Sequence, residues 1–286
     1  MEIYGRTDLA VEARNLRIKN SRKFSELKGV KAKKEIIDGI EISTVEILND
    51  EGALTLGKPI GKYFTMQLEK RFERGADIFS SAAQTLAQLI RSCLPSSKSS
   101  VFLIAALGNP DITPDALGSI AASNIIVTQH LKKKMPDEFK NFSSTMLCRT
   151  GVLGTTGIES AAQIKALCEK IKPDCVIAVD ALAGVELSRL CHSFQVSGSG
   201  ISPGSGVGNN RQELSLQSLG VPVVAVGVPT VIDASLYSDS PELKGMFVTP
   251  RDIDSAVRSA GRLIGYGINL ALHPMLSVED IDMLVG

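Results

Sequence analysis

The segment Val101-Phe-Leu-Ile-Ala-Ala-Leu-Gly-Asn-Pro-Asp-Ile-Thr-Pro-Asp-Ala-Leu-Gly118 passes from an apolar run, through a polar loop, to the start of a helix. Its first six residues are apolar and bounded by polar chain, which predicts a buried strand. Thr113 is a favoured N-cap residue, and Pro114 suits the first helical position. We therefore expect Asp115 in the first helical turn, near free backbone N–H groups and the positive end of the helix dipole.

A second apolar run, residues 175–179, is also followed by an aspartate, Asp180. Parallel sheets bind ligands at the carboxyl ends of their strands, so both aspartates are expected at one edge. Two close carboxylates do not both ionise easily and can share a proton, which suits acid–base chemistry. We predict Asp115 as the base and Asp180, which ends an apolar strand, as the acid. In the simpler alternative, each aspartate only caps or starts a helix.

Alternation of apolar runs with helical periods along the chain predicts an α/β fold. We expect one domain with a mostly parallel, mixed sheet flanked by helices on both faces, and antiparallel strands from residues 40–66 at an edge. Residues 1 to about 35 are polar and show little period. The predicted strands cover residues 40–48, 61–66, 101–106, 144–148, 175–179 and 221–227, and the predicted helices 76–94, 113–123, 158–171, 180–190, a segment opening at Pro229, and 249–272.

Composition excludes several classes of protein. The formal net charge is zero, so no basic footprint for direct nucleic-acid binding is present. The five cysteines are odd in number and form no CxxC pair, which indicates reduced thiols in a cytoplasmic protein. The sequence shows no signal peptide and no apolar run long enough to cross a membrane. The histidines stand in no metal-ligand spacing, so we expect no metal and no cofactor.

The glycine-rich stretch from Ser197 to Arg211 does not fit the phosphate-binding motifs that it superficially resembles, because their glycine and lysine spacings are missing. It contains a literal GxSxG around Ser202, but the next residue is Pro203, which has no N–H to donate to an oxyanion hole. We therefore reject a serine hydrolase. The glycines allow backbone to approach a ligand or an extended peptide, and a plain surface loop is equally compatible with them.

Five residues are candidates for substrate binding or for support of the aspartates. Asn109 is placed to orient water or a substrate carbonyl, although it also suits a turn. Glu159 and Asp233 have weaker claims, since each fits a helix cap. The remaining two candidates, Ser205 and Gly206, lie in the glycine-rich stretch.

Several motifs, taken together and in order over nearly the whole chain, resemble the germination protease family of endospore-forming bacteria. Each motif is weak alone, and the set is specific. The matching residues are Arg6-Thr-Asp-Leu-Ala-Val-Glu12, Leu107-Gly-Asn109 with Thr113-Pro-Asp-Ala-Leu-Gly118, Thr156-Gly-Ile-Glu159, Ala178-Val-Asp-Ala-Leu-Ala183, Ser199-Gly-Ile201 with Pro203-Gly-Ser-Gly-Val-Gly-Asn209, Val226-Gly-Val-Pro-Thr-Val231 with Asp233-Ala234, and Asn269 with Ala271-Leu-His273.

The resemblance implies an endopeptidase that starts the degradation of small acid-soluble spore proteins in the spore core, with a fold similar to the hydrogenase-maturation proteases. It implies a homotetramer made as a zymogen, and important aspartates at Asp115 and Asp180. Processing would fall between Asp8 and Leu9, which divides the chain into a pro-segment, 1–8, and a peptidase domain, 9–286. Two alternatives stay open: a metal-dependent peptidase that uses both aspartates with His273, and a non-catalytic peptide-binding relative.

Three departures from the family pattern bear on these expectations. The chain is short for the family, and the region between about Asp233 and Val248 lacks a longer insertion. The segment before Arg6 is also short, which puts zymogen control in question. Gly184 stands where the family pattern leads us to expect arginine, so specificity is expected to differ if that arginine binds an acidic substrate residue.

Overall fold

The computed structural model describes residues 7–20, 27–69, 72–95, 101–208, 211–237 and 240–285, so most of the expected pro-segment lies outside the described residues. The strands in this part of the chain are β1 Val30–Ile37, β2 Ile40–Ile47, β3 Gly61–Gln67, β4 Val101–Leu107, β5 Ser144–Gly151, β6 Cys175–Gly184, β7 Ser193–Ser197, β8 Val223–Asp233 and β9 Phe247–Val248. The helices are α1 Ala10–Asn20, α2 Asp50–Leu56, α3 Ile78–Cys93, α4 Leu117–Ala122, α5 Gln129–Lys134, α6 Leu153–Thr156, α7 Ser160–Ile171, α8 Leu216–Leu219, α9 Ile253–Leu272 and α10 Val278–Val285.

One mixed sheet organises the molecule, in the order β1-β2-β3-β7-β8-β6-β4-β5, with the short β9 paired to β8. Strands β8, β6, β4 and β5 are parallel neighbours, and β7, β3, β2 and β1 continue the sheet with antiparallel pairs. The expected single α/β domain with a mixed sheet is therefore confirmed, including the antiparallel edge. The parallel strands are those whose carboxyl ends form the site described below.

Helices cover both faces of the sheet, because successive side chains of the central strands point to opposite faces. On one face Ile104 and Ile177 pack in a large core with α3 and α9. On the other face Leu103 and Val176 pack in a second core with α7. This two-sided burial accounts for the continuously apolar sequences of β4 and β6.

Two predicted helices are strands instead. Strand β6 continues through Asp180 to Gly184, and β8 continues through Pro229 to Asp233, because the two strands pair along this whole length. Pro229 is tolerated in the centre of the sheet because a register shift occurs beside it, between Leu182 and Ala183. Proline therefore marks a bulge here, and the predicted helix start at Pro229 is wrong.

Nine of the described elements were not predicted: α1, α2, α5, α6, α8, α10, β1, β7 and β9. Strand β1 is an edge strand whose pattern, VKAKKEII, exposes most of its residues. Charged edge strands resist pairing with other chains, but the charge hides the alternation of a half-buried strand. Helix α1 buries residues only at its beginning, so it lacks a long apolar stripe.

No helix in the described residues is long and apolar enough to cross a membrane.

Candidate active site

A cavity of about 470 Å³ opens where the parallel strands β4, β6 and β8 reach the edge of the sheet. Residues from the ends of β4 and β5 and from the carboxyl-terminal parts of β6 and β8 line it, together with the glycine-rich stretch. Asp115 and Asp180 both line this cavity. The structure therefore brings the two predicted aspartates to one site, at the sheet edge where parallel sheets bind ligands.

Asp115 lies in a 3-10 turn, Thr113–Asp115, that precedes the short helix α4. The predicted cap is wrong: the N-cap position is Ile112, and no side chain caps the turn. The Asp115 carboxylate instead accepts a hydrogen bond of 2.7 Å from the Asn109 backbone N–H. The Asn109 side chain accepts from Asp111 N–H at 3.0 Å, so it shapes the loop and supports Asp115 through its backbone.

Gly108 allows this loop to close on Asp115. Its φ is +97°, and a Cβ there would stand 2.0 Å from the Asp115 carbonyl oxygen. Any side chain at this position would push the loop away from the aspartate. Glycine is therefore required at the end of β4 for the observed placement of Asp115.

Asp180 lies within β6 and is 5% exposed. Burial raises the pKa of Asp180 well above its usual range, and the negative charges of Asp115 and Asp8 raise it further. The Ala181 N–H and the Arg211 charge act in the opposite direction. Burial also raises the pKa of Asp115, against the Asn109 N–H and Arg211. Both carboxyls thus hold their protons more tightly than in water, and Asp180 carries the additional influence of Asp8.

The predicted processing point is built into the same site. Asp8 lines the cavity, where its carboxylate accepts hydrogen bonds from Ser205 Oγ at 2.7 Å and Ala183 N–H at 2.8 Å. Leu9 is fully buried. Gly206 packs so closely that a Cβ would stand 2.3 Å from Asp8 Oδ2. The candidates Ser205 and Gly206 therefore meet Asp8 rather than Asp115 or Asp180.

A second buried carboxyl, Glu12 of α1, binds the backbone that directly follows β6. The sequence analysis assigned it no role. It is fully buried and accepts from Val185 N–H at 2.9 Å and Glu186 N–H at 3.0 Å. Burial raises its pKa. Gly184 lies against it, since a Cβ there would stand 3.4 Å from Glu12 Oε1 and 3.2 Å from Pro229 Cβ. A side chain at this position would require Pro229 to shift by a few tenths of an ångström and would lie in contact with Glu12.

Two other candidates lie apart from the cavity lining. Glu159 occupies the N-cap position of α7 but makes no capping hydrogen bond with its side chain. Its neighbour Ser160 lines the cavity instead. Asp233 caps a 3-10 turn, where its carboxylate accepts from Ser235 N–H at 2.9 Å. These two acids have local structural positions, and neither is among the cavity residues.

His273 lies near the amino end of β5, whereas the aspartates lie at the carboxyl ends of the parallel strands. It follows α9, whose Leu272 carbonyl accepts from Ser143 at the amino end of β5, while the cavity is reached at the carboxyl end of that strand, Gly151. The eight residues of β5 separate these ends by roughly 25 Å. The three ligands of the metal alternative are therefore not brought together. Nor does any cluster of three His, Cys, Asp or Glu suited to a metal occur among the described residues.

Arg211 completes the charged lining of the cavity. It is the last residue of the glycine-rich stretch, and its backbone N–H donates a hydrogen bond of 3.4 Å to the Pro203 carbonyl in the same stretch. The sequence reading assigned it no role. The available signal was an arginine in a stretch whose glycines suit close approach to a ligand.

Comparison with known proteins gives one family. The family model described as germination protease matches residues 10–244 of the chain. A germination protease of Caldanaerobacter subterraneus subsp. tengcongensis is 39% identical over 321 aligned residues, covering 98% of both chains. One of Clostridium perfringens is 38% identical and covers 98% of this chain and 99% of the relative. One of Geobacillus sp. is 40% identical and covers 98% of this chain and 79% of the relative.

The aligned length with the first relative, 321, exceeds the 286 residues of this chain, so that relative carries segments which this chain lacks. Among solved structures, a [NiFe] hydrogenase maturation protease, HycI, from Thermococcus kodakarensis aligns with 64% of this chain and 98% of its own. The sequence identity is 19% and the TM-score 0.33.

Proposed function

The chain belongs to the germination protease family and is a peptidase, and from this premise we propose that Asp115 and Asp180 are its catalytic carboxylates. The substrates of the peptidase would be small acid-soluble spore proteins in the spore core, which it would cut at internal peptide bonds. One observation carries the proposal: both aspartates line one cavity at the carboxyl edge of the parallel strands.

The electrostatics support an unequal division of roles between the two carboxyls. Asp180 is the more buried acid and keeps its proton, while Asp115 receives the Asn109 N–H and is the better base. Asp115 removes a proton from water, and the water oxygen attacks the scissile carbonyl carbon. The C–N bond then breaks, and Asp180 donates its proton to the leaving nitrogen. Transfer of the proton from Asp115 back to Asp180 restores the pair.

We further propose that the chain is made as a zymogen which is cut between Asp8 and Leu9, and that the active form is a homotetramer. Support for the first point comes from Asp8, which forms part of the cavity wall and is bonded to Ser205 and Ala183. A chain that fills its own site blocks longer substrates until it is cut. Release of Asp8 also removes one of the negative charges beside Asp180.

The test is incubation of the full-length chain, and of a chain that begins at Leu9, with a small acid-soluble spore protein, followed by N-terminal sequencing of the products. Four proteins are compared: the wild type, Asp115→Asn, Asp180→Asn and Asp111→Asn, an exposed aspartate of the same loop as a matched control. We expect a few defined cuts by the wild type and by Asp111→Asn. The two site variants are expected to lose about 10²–10⁴-fold in rate.

A parallel reaction with chelator tests the metal-dependent alternative, which predicts loss of the wild-type cuts. Full activity of both Asp115→Asn and Asp180→Asn would refute the carboxylate pair. Binding of the spore protein without cleavage, by the full chain and also by a chain that begins at Leu9, would favour the peptide-binding alternative.

A further inference from the structure

An arginine in the cavity has a buried hydrogen-bond donor that nothing in the structure uses. Nη1 of Arg211 is buried and, within the part of the chain that the structure describes, has no hydrogen-bond partner. Buried polar atoms are almost always paired, and leaving a charged donor unpaired costs free energy. Since Arg211 also lines the cavity, its guanidinium is the group with which an acceptor brought by a ligand would pair.

The surrounding acids do not supply that acceptor. The positive charge of Arg211 acts to lower the pKa of both Asp115 and Asp180. None of the ion pairs within 4.0 Å among the described residues includes it. The carboxylate of Asp8 is already bonded to Ser205 and Ala183. The guanidinium thus shares a cavity with three carboxylates without closing an ion pair on any of them.

This arrangement meets a need of the proposed reaction. When water attacks the scissile carbonyl, the carbonyl oxygen becomes negatively charged, and this charge is stabilised by a hydrogen-bond donor fixed beside it. Asp180, which protonates the leaving nitrogen, does not neutralise the oxygen. Fixed donors directed at the developing charge are usually the largest single contribution to catalysis of such reactions. The serine-hydrolase arrangement is missing, since Pro203 has no N–H.

We propose that Arg211 is a catalytic residue of this peptidase, and that its guanidinium donates a hydrogen bond to the scissile carbonyl oxygen as the tetrahedral intermediate forms. The proposal rests on the function proposed above, since it assigns the oxygen of the same peptide bond. The hydrogen bond from Arg211 N–H to the Pro203 carbonyl fixes the start of the side chain. The glycine-rich stretch is then the element that carries the donor to the cavity.

The first readout is steady-state cleavage of the spore protein by the full-length chain. Arg211→Gln is expected to lower kcat by about 10²–10³-fold with little change in KM, as for removal of one oxyanion donor. Arg211→Lys keeps the charge and loses the planar fork, so an intermediate loss is expected. Arg258→Gln, an exposed arginine of α9, is the matched control and should equal the wild type. Millimolar guanidinium should partly restore Arg211→Ala.

The second readout does not depend on turnover. Two peptides copy residues 6–11, one with a phosphinate and one with a reduced amide in place of the peptide bond between positions 8 and 9. Only the phosphinate presents negatively charged oxygens on a tetrahedral centre. Calorimetry is expected to show at least about tenfold weaker phosphinate binding by Arg211→Gln and unchanged reduced-amide binding. Circular dichroism checks that each variant is folded.

The outcomes separate this inference from the function on which it rests. If the aspartate variants are inactive while Arg211→Gln matches Arg258→Gln in kcat and in phosphinate affinity, the role of Arg211 is wrong and the carboxylate pair stands. A loss confined to KM, with both peptides weakened equally, would make Arg211 a binding residue for substrate and overturn the oxyanion role. A wild type that neither cleaves the spore protein nor distinguishes the peptides, both as the full-length chain and as a chain that begins at Leu9, would refute both proposals.

Discussion

Asp180 is a buried acid whose ionisation opposes folding. Its folded pKa is raised, so near neutral pH the unfolded chain ionises this carboxyl more readily than the folded chain does. The stability it contributes is present at low pH and is lost as the pH rises above the ordinary value of 3.8. Asp180→Asn removes this dependence. We therefore expect the variant to be inactive and more stable than the wild type at pH 7, with a gain that disappears towards pH 4.

Thermal unfolding of both proteins between pH 4 and pH 8 checks this prediction, with Asp111→Asn as an exposed control. A stabilisation that stayed constant across the range would mean that the gain comes from packing and not from ionisation. Such a gain with loss of activity is the usual relation between stability and a charged active site.

Gly206 is required by the close approach of Asp8. Gly206→Ala would place a Cβ 2.3 Å from Asp8 Oδ2 and 2.6 Å from Ala183 Cβ, so one of them must move. We expect destabilisation of about 1–3 kcal/mol from overpacking, and faster cutting between Asp8 and Leu9 because Asp8 is displaced. Gly154→Ala is the control, since nothing lies within 4 Å of its added Cβ. Chemical denaturation and N-terminal sequencing over time measure the two effects, and equal behaviour of the two variants would contradict the prediction.

At the scale of elements, helix α4 sits directly on the strands that precede the two aspartates. A Cβ on Gly118 would stand 2.2 Å from the Leu107 carbonyl oxygen of β4 and 2.8 Å from that of Val179 in β6. Gly118→Ala must therefore lift α4 from the sheet and shift the turn that carries Asp115. We expect a loss of about 1–3 kcal/mol in stability together with a reduced kcat.

Urea denaturation and the cleavage assay measure these two losses. Ser119→Ala, on the next residue of the same helix, is the control and should leave both unchanged. If Gly118→Ala loses stability but keeps full kcat, then the placement of Asp115 does not depend on how closely α4 packs.

At the scale of the whole molecule, acid stability depends on a histidine far from the site. His273 is fully buried. Burial is the larger cause, and the positive charge of Lys132 the smaller, that lowers its pKa to about 4. Between pH 6.5 and 4 this imidazole binds a proton in the unfolded chain and stays neutral in the folded chain. The stability due to neutral His273 is therefore lost as the pH falls through this window, by up to about 3 kcal/mol.

The difference in unfolding free energy between the wild type and His273→Gln isolates this contribution from the aspartates, whose raised pKa values act with the opposite sign. We expect that difference to fall as the pH drops from 7 to 4. His130→Gln, an exposed histidine, should show no such trend. A flat difference for His273→Gln would mean that the imidazole is not held neutral in the folded protein.

The sequence by itself determined those helices and strands whose apolar pattern is visible over a few neighbouring residues. Helices α3, α7 and α9 and strands β2 to β6 follow from apolar period and from glycine and proline punctuation, which act over a few residues. The edge with Asp115 and Asp180 was also predictable, because an aspartate after an apolar strand in an α/β chain marks the ligand-binding end.

Only the tertiary structure decided what depends on partners distant in the chain. Strand pairing, not local preference, carried β6 past Asp180 and β8 past Pro229. Burial of Asp8 and Glu12 against residues 183–186 depends on contacts across more than 170 positions. The same holds for the unpaired Arg211 donor and for the distance of His273 from the aspartates. A pattern of neighbours along the chain contains no information on such contacts, because they arise when separate elements pack together.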